Sequence, residues 1–257
     1  NVYTLLNPVW LGFVTNTDEV GYFTTATKLH NIIMAFLLSF TSILFPRVSN
    51  LLAEGKKEEF WQKINIAFDA IFLFSFPTIC FLFIAGPDLL HMVVGDGFEG
   101  AYLPFRIITP LVLVIGIEQI LVIQILMATH CDKTVLINSF IGAIVALFFN
   151  ILLTSHMGAY GSALVWVIAE CAIMGLSAMA IYKQFKYIPP YWRLLSYCLT
   201  YTPLFLVSLL IYSYLDNTYA IVLSLGTLTV LYAGISEVYI LKNKVAQQLL
   251  QSLHRFI

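Results

Sequence analysis

Apolar runs of bilayer length, separated by short connections of alternating charge, limit what this chain can fold into more than any other feature. A helix needs about 20 apolar residues to cross the hydrocarbon core of a bilayer. Such runs occur at residues 20–45, 64–85, 102–128, 135–154, 160–182, 194–215 and 219–241. Residues 1–14 read as the outer part of a further helix whose beginning is missing, with no initiator Met and no signal peptide ahead of it. In lipid, backbone polar groups have no water to bond, so a spanning segment must pair them internally. The predicted fold class is therefore all-α, a polytopic transmembrane helix bundle of eight spans with the first incomplete. The chain is read as part of a longer one.

The connections support the span count. Thr15 to Glu19, Gly86 to Ala101, Ser155 to Ala159 and Asp216 to Thr218 contain no Lys or Arg. The alternate connections and the tail carry Arg47, Lys56, Lys57, Lys63, Lys133, Lys183, Lys186, Arg193, Lys242, Lys244 and Arg255, which is 11 of the 13 bases. A missed or invented helix would put these charges out of phase. By the positive-inside rule the basic connections and the C-terminus face the cytoplasm.

Composition agrees: 60% of residues are hydrophobic and 11% charged, with a mean hydropathy of +0.88. The net charge of −1 gives no sign of nucleic acid as a partner. Cys80, Cys131, Cys171 and Cys198 are scattered and read as free thiols acting as small hydrophobes. No pair among His30, His91, His130, His156 and His254 has metal-ligand spacing, so no metal or cofactor is expected. No GxSxG, P-loop or HExxH signature is present, and the chain is not expected to be an enzyme.

Polar residues inside the spans are the candidate chemistry, since such groups are costly in lipid. In the second span Thr24, Lys28, Asn31, Ala35, Ser39 and Ser42 fall within about 80° of one another at 100° per residue. This stripe suits the wall of a water-filled passage. The plainer reading is that the hydroxyls bond their own backbone while Lys28, about 12 Å from the helix start, snorkels outward. In the fourth span Arg106, Thr109 and Gln124 share one face, and Pro104 and Pro110 can loosen its outer end. Arg106 either anchors at headgroups or faces Lys28 across a cavity, where two cations would suit a phosphate-bearing substrate. Asp69, Glu118, Glu170 and Glu237 are the intramembrane acids, and for Glu118 a structural role and ion coupling both stay open. Glu118 lies some 120° around the helix from Arg106, so those two are not expected to share a face. For Glu170 three roles stay open: structural hydrogen bonding with Asn150 or a neighbour, cavity wall, or ion coupling. Asp69 and Glu237, near the cytoplasmic interface, read as structural, with ion coupling open for Asp69.

Three smaller segments complete the chain. Asn50 to Lys63 reads as a solvated connector with local ion pairs. Tyr187 to Trp192, with Pro189 and Pro190, reads as an extended turn and the best internal boundary. In the tail Val245, Leu249, Leu253 and Phe256 share one helical face, for the headgroup region or for a partner.

Residues Ile141 to Glu170 read as two helices joined at Met157-Gly158-Ala159-Tyr160-Gly161. The second is lined with Gly161, Ser162, Ala163 and Ala169 before Glu170, about 15 Å deep. Asn150, Gly158-x-x-Gly161-x-Ala163 and Glu170, in that order, resemble a hairpin of the polysaccharide flippases of the MOP superfamily, which includes the MATE exporters. Upstream, Glu19-Val20-Gly21-Tyr22-Phe23, then Ala26, Lys28 and Leu29, then Leu44-Phe45-Pro46-Arg47-Val48-Ser49 resemble the same family, nearest to the O-antigen and capsule repeat-unit flippases. The resemblance covers most of residues 1–182.

It implies a C-terminal six-helix lobe over residues 1–182, a cytoplasmic linker at 183–193, two additional helices at 194–241 and a cytoplasmic amphipathic tail at 242–257. It further implies flipping of undecaprenyl-pyrophosphate-linked oligosaccharide repeat units across the bacterial inner membrane by alternating access, for surface polysaccharide biosynthesis, either O-antigen (and so lipopolysaccharide) or capsule. The N-terminal lobe of the same protein, membrane lipids and a polysaccharide polymerase would be its partners. Lys28, which matches the family pattern, and less closely Arg106 would hold the headgroup. Two alternatives remain. One is an ion-coupled, MATE-like exporter of small molecules governed by the acids. The other is a membrane-embedded transferase using Asp88, His91, Asp96 and Glu99 of the longest outer connection.

Overall fold

The computed structural model describes residues 2–254, and no strand occurs among them. Arg255 and Phe256, read with the tail, lie outside the described residues. Helix α1 (Val2–Val14) leads into α2 (Thr17–Ala53), which starts at Asn16. The Asn16 side chain accepts from the Glu19 amide at 3.0 Å, and Asp18 and Glu19 sit in the first turn, where the helix dipole favours negative charge. A turn at Gly55 (φ 73°), beside a 2.7 Å Lys56–Glu54 ion pair, leads to α3 (Lys57–Val94). Helix α3 runs well past residue 85, so the outer connection expected at Gly86 to Ala101 narrows to residues 95–98 before a short 3-10 turn at Glu99–Ala101.

The fourth span is broken. Helices α4 (Tyr102–Ile108) and α5 (Leu111–Gln119) meet at Pro110, and the axis bends by 41° there. Proline has no amide hydrogen to continue the helical ladder. Beyond α5 the chain winds through π-turns at Ile120–Met127. Helix α6 (Asp132–Phe149) and π-turns at Asn150–Thr154 run into α7 (Ser155–Phe185), then come α8 (Trp192–Tyr214), α9 (Thr218–Ile235, extended by π-turns at Ser236–Ile240) and α10 (Lys244–His254).

Among the described residues five helices are long and apolar enough to cross a membrane, or six with the bent pair as one span. One of the five, Asp132–Phe185, is two arms of a hairpin. Gly158 (φ 58°, ψ −132°) breaks it, and Asn138 bonds back to Ser177 at 3.1 Å. Nearer the turn the Thr154 and Ser162 hydroxyls lie 3.4 Å apart. Two glycines make the reversal possible. A Cβ on Gly161 would stand 2.6 Å from the Leu153 carbonyl oxygen, so the arms touch backbone to backbone. At Gly158 the positive φ excludes most side chains, and a Cβ would stand against the Glu19 carboxylate. Glu19 Oε2 accepts from the Ala159 amide at 2.6 Å and caps the second arm. The two motifs singled out in the sequence, around Glu19 and around Gly158, thus meet at this contact.

Among the described residues two large apolar cores and a smaller one hold the bundle. One large core centres on α3, with Phe68, Ile71, Phe72 and Phe76 packed against α2, α5 and α8; the other centres on α7, with Ala163, Val165, Trp166 and Ala169 against α2 and α4. Helices α8 and α9 pack directly on α3. Tyr197 and Tyr201 insert into its core, and Ile221 and Leu225 meet Ile84 and Ala85. A polar chain seals that contact: Glu237 accepts from Tyr197 at 3.1 Å and Tyr201 at 2.8 Å, while Asn243 donates to Tyr197 and to the Asp69 carbonyl, each at 2.7 Å. The Tyr187 to Trp192 turn is docked too, with Tyr187 stacked on Trp61 at 4.4 Å and bonded to Asn65. The tail helix is anchored to the bundle at its start. Asn243 caps α10 through the Val245 amide, and Val245 joins Phe36, Leu37, Ile71 and Phe74 around an apolar cavity.

Gly158→Ala is expected to lower the stability of the purified protein by about 1–2 kcal/mol through left-handed strain. Gly161→Ala, which forces two backbones apart, costs roughly 1–3 kcal/mol. Gly175, with open space around it, gains up to about 1 kcal/mol on Gly175→Ala. Thermal unfolding in one detergent ranks the three.

Candidate functional site

Helix α2 has two unlike sides. Phe23, Ala26, His30, Met34 and Leu37 are buried against the rest of the bundle. Lys28, Asn31, Ala35, Ser39 and Ser42 are exposed on the other side, and Thr24 is half-buried. The stripe expected from helical periodicity therefore lies on a face that no other described part of this chain covers. His30 points away from it, as its spacing from Lys28 requires. Lys28 has no ion-pair partner among the described residues. The hydroxyls do bond their own backbone: Thr24 to the Val20 carbonyl and Ser39 to that of Ala35, each at 2.7 Å, and Ser42 to that of Ser39 at 2.8 Å. Those bonds do not use up the hydroxyls, because a hydroxyl that donates to the helix still keeps oxygen lone pairs free.

The fourth span behaves differently. Thr109 and Gln124 are fully buried, so neither lines an open wall, contrary to the shared face expected with Arg106. The 41° bend and the π-turns lie between them. An i→i+5 turn winds more slowly than a regular α-turn, and a face extrapolated at a constant angle is lost. Arg106 donates from Nε to the Phe83 carbonyl at 3.0 Å and lies over the Phe83 ring. It is thus held at α3, toward the Tyr212 side of α8, and not at the Lys28 stripe.

The acids divide into two groups. Asp69 pairs with Arg193, a charge partner that fits a structural role, and Glu237 holds the two tyrosines described above. Glu170, buried at 1% exposure, does not bond Asn150. Its Oε1 accepts from Trp166 Nε1, one turn back, at 2.9 Å, and its carboxyl lies within hydrogen-bonding reach of Glu118 from α5. Asn150 instead donates to Asn7 at 2.7 Å and accepts from Thr154 at 2.8 Å. Sequence reasoning passed over Asn7; its signal was an amide inside an apolar run. A small polar cavity of about 140 Å³, lined by Asn7, Pro8, Phe23, Thr27, Asn31 and Trp166, lies between the Lys28 stripe and this interior.

The outer connection offers little for a transferase. Half-buried His91 lies 3.6 Å from exposed Asp96. The Gly97 amide donates to Glu99, which holds that carboxyl below its usual range and makes it a poor proton donor. Among the described residues no group of His, Cys, Asp and Glu is arranged to hold a metal ion.

Comparison with known proteins adds three findings. A family model described as polysaccharide biosynthesis protein matches residues 2–103. A candidate O-antigen transporter of Escherichia coli (strain K12) is 26% identical over 173 residues, covering 66% of this chain and 41% of that protein. The solved structure of the lipid II flippase MurJ, in an inward closed conformation, superposes with a TM-score of 0.80 at 16% identity, over 93% of this chain and 50% of that one. The last match shows a shared fold. The chain spans between two fifths and half the length of these proteins.

Lys28→Ala, on an open face, should leave thermal stability within about 0.5 kcal/mol of the native protein. Arg193→Met, which strands the buried Asp69 carboxylate, should cost about 1–3 kcal/mol, discounted for the partial exposure of Arg193. Unfolding curves of the two variants test the distinction between an open cation and a structural one.

Proposed function

The chain is a relative of the polysaccharide flippases of the MOP superfamily, and on that premise we propose that it moves lipid-linked oligosaccharides across the bacterial inner membrane. The observation that carries this reading is the uncovered face of α2, where Lys28 and the hydroxyl stripe run the length of a span. A lysine held mid-helix is costly against lipid. A second six-helix lobe packed over this face turns it into one wall of a water-filled cavity.

Within that cavity Lys28 binds the pyrophosphate of an undecaprenyl-linked repeat unit through charge-assisted hydrogen bonds. Asn31 and the spare lone pairs of Thr24, Ser39 and Ser42 exchange hydrogen bonds with sugar hydroxyls as these cross. The lipid tail stays in the bilayer. The two lobes rock around the site to open it to each side in turn. Arg106, held by Phe83 away from the stripe, plays a supporting part at the outer end of α3.

Lys28→Ala is expected to abolish export of surface glycan in cells that depend on this protein, with normal amounts of folded protein in the membrane. Unchanged glycan display overturns the role of Lys28. The positive-inside assignment is tested by thiol labelling in a cysteine-free background. A membrane-impermeant reagent added to cells should label Asp216→Cys at the outer surface and leave Lys57→Cys unlabelled until the membrane is opened.

A further inference from the structure

The buried acids of α5 and α7 have a geometry that the cation stripe does not explain. Glu118 is 7% exposed and Glu170 1% exposed, and their carboxyl groups lie within hydrogen-bonding reach of each other. Trp166 satisfies Glu170 Oε1, yet Glu118 Oε2 and Glu170 Oε2 meet no hydrogen-bond donor among the described residues. Two carboxylates in contact are both acceptors and cannot bond each other. In a medium of low dielectric two such charges also repel strongly, and each is costly to bury. One proton removes all three difficulties at once, since it supplies the missing donor and leaves a single charge in a short O–H···O bond.

Among the described residues no Lys or Arg side chain pairs with either acid. From α2, His30 meets Trp166 edge-on at 5.3 Å, and neither ring nitrogen has a partner, so it forms no ion pair with either acid. From α7, the nearby titratable group is the Cys171 thiol. Helix α1 brings Asn7 to Asn150, and α3 brings Ser75 to the Val112 carbonyl of α5 at 3.4 Å, neither of them a charge. Asp69 is occupied by Arg193. Neither acid lines the small polar cavity, but that cavity reaches the indole that holds Glu170. The 140 Å³ polar cavity starts at Asn31 on the open face of α2 and ends at Trp166, whose indole N–H holds Glu170. It has room for a few waters at about 30 Å³ each.

We propose that Glu118 and Glu170 form a proton-binding site, one shared proton per chain, reached through the Asn31–Trp166 cavity and holding α5 against α7. Loss of that proton leaves two facing carboxylates and drives the helices apart, so occupancy of the site is tied to helix packing. The inference does not depend on what the chain carries.

The test is infrared difference spectroscopy of the purified full chain in lipid vesicles, comparing acidic with alkaline pH. The native protein should show the C=O stretch of a protonated carboxyl, shifted in D2O and insensitive to sodium chloride at fixed pH. Glu118→Gln and Glu170→Gln should each abolish the band, because the glutamine amide then donates to the remaining carboxylate and no proton is needed. Asp69→Asn should leave it in place. Absence of the band in the native protein, its survival in either glutamine variant, or its removal by sodium overturns the proposal. Should a glutamine variant fail to fold, the D2O shift and sodium response of the native protein still decide the matter.

Discussion

Inside a bilayer there is no water to satisfy a polar group, and the arrangement of this protein follows from how its buried polar side chains find partners. Asn7, Asn150 and Thr154 form one hydrogen-bonded chain across α1 and the hairpin, and Thr154 lies against Ser162 on the far arm. Asn138 and Ser177 tie the same hairpin together at its other end. Tyr197, Tyr201, Glu237 and Asn243 bind the last two helices to α3. Apolar packing alone discriminates weakly between helices and lipid tails. These polar contacts therefore set which helix lies beside which.

Against that background the α2 face stands out because its polar groups are left open. Lys28 and Asn31 project from a span whose opposite side is packed with Phe23, Ala26, Met34 and Leu37. Most of the interior polar groups of those helices have partners within the bundle, whereas Lys28 has no ion-pair partner among the described residues. The paired acids Glu118 and Glu170 sit one layer behind, with the Asn31–Trp166 cavity between. A site for an anionic headgroup in front and a proton site behind it would share α2 and α7 as common walls.

Much of the organisation was legible in the chain itself. The apolar runs and the phase of the charges gave the helices, and the 100° periodicity gave the Lys28 stripe, because α2 is regular along that stretch. The same extrapolation failed in the fourth span. There a proline bend and π-turns intervene, and Gln124, expected beside Arg106, is buried. The expected connection shortened because α3 continues to Val94 through Gly86, Pro87 and Asp88, residues that read as a break in the sequence. The docking of the tail was not legible either, since an amphipathic pattern does not say whether lipid or protein covers it.

What the sequence by itself determined is the material: helices, because lipid forbids unpaired backbone, in apolar runs long enough to cross it. The likeness of its motifs to the polysaccharide flippases was also readable there. What only the tertiary structure decided is which polar groups meet. Glu19 reaches Ala159 and Gly158, Asn150 goes to Asn7 and not to Glu170, and Glu118 finds Glu170 across two helices. Helical periodicity places a side chain on a face of its own helix, whereas the identity of its neighbour depends on how separate helices turn and slide against one another.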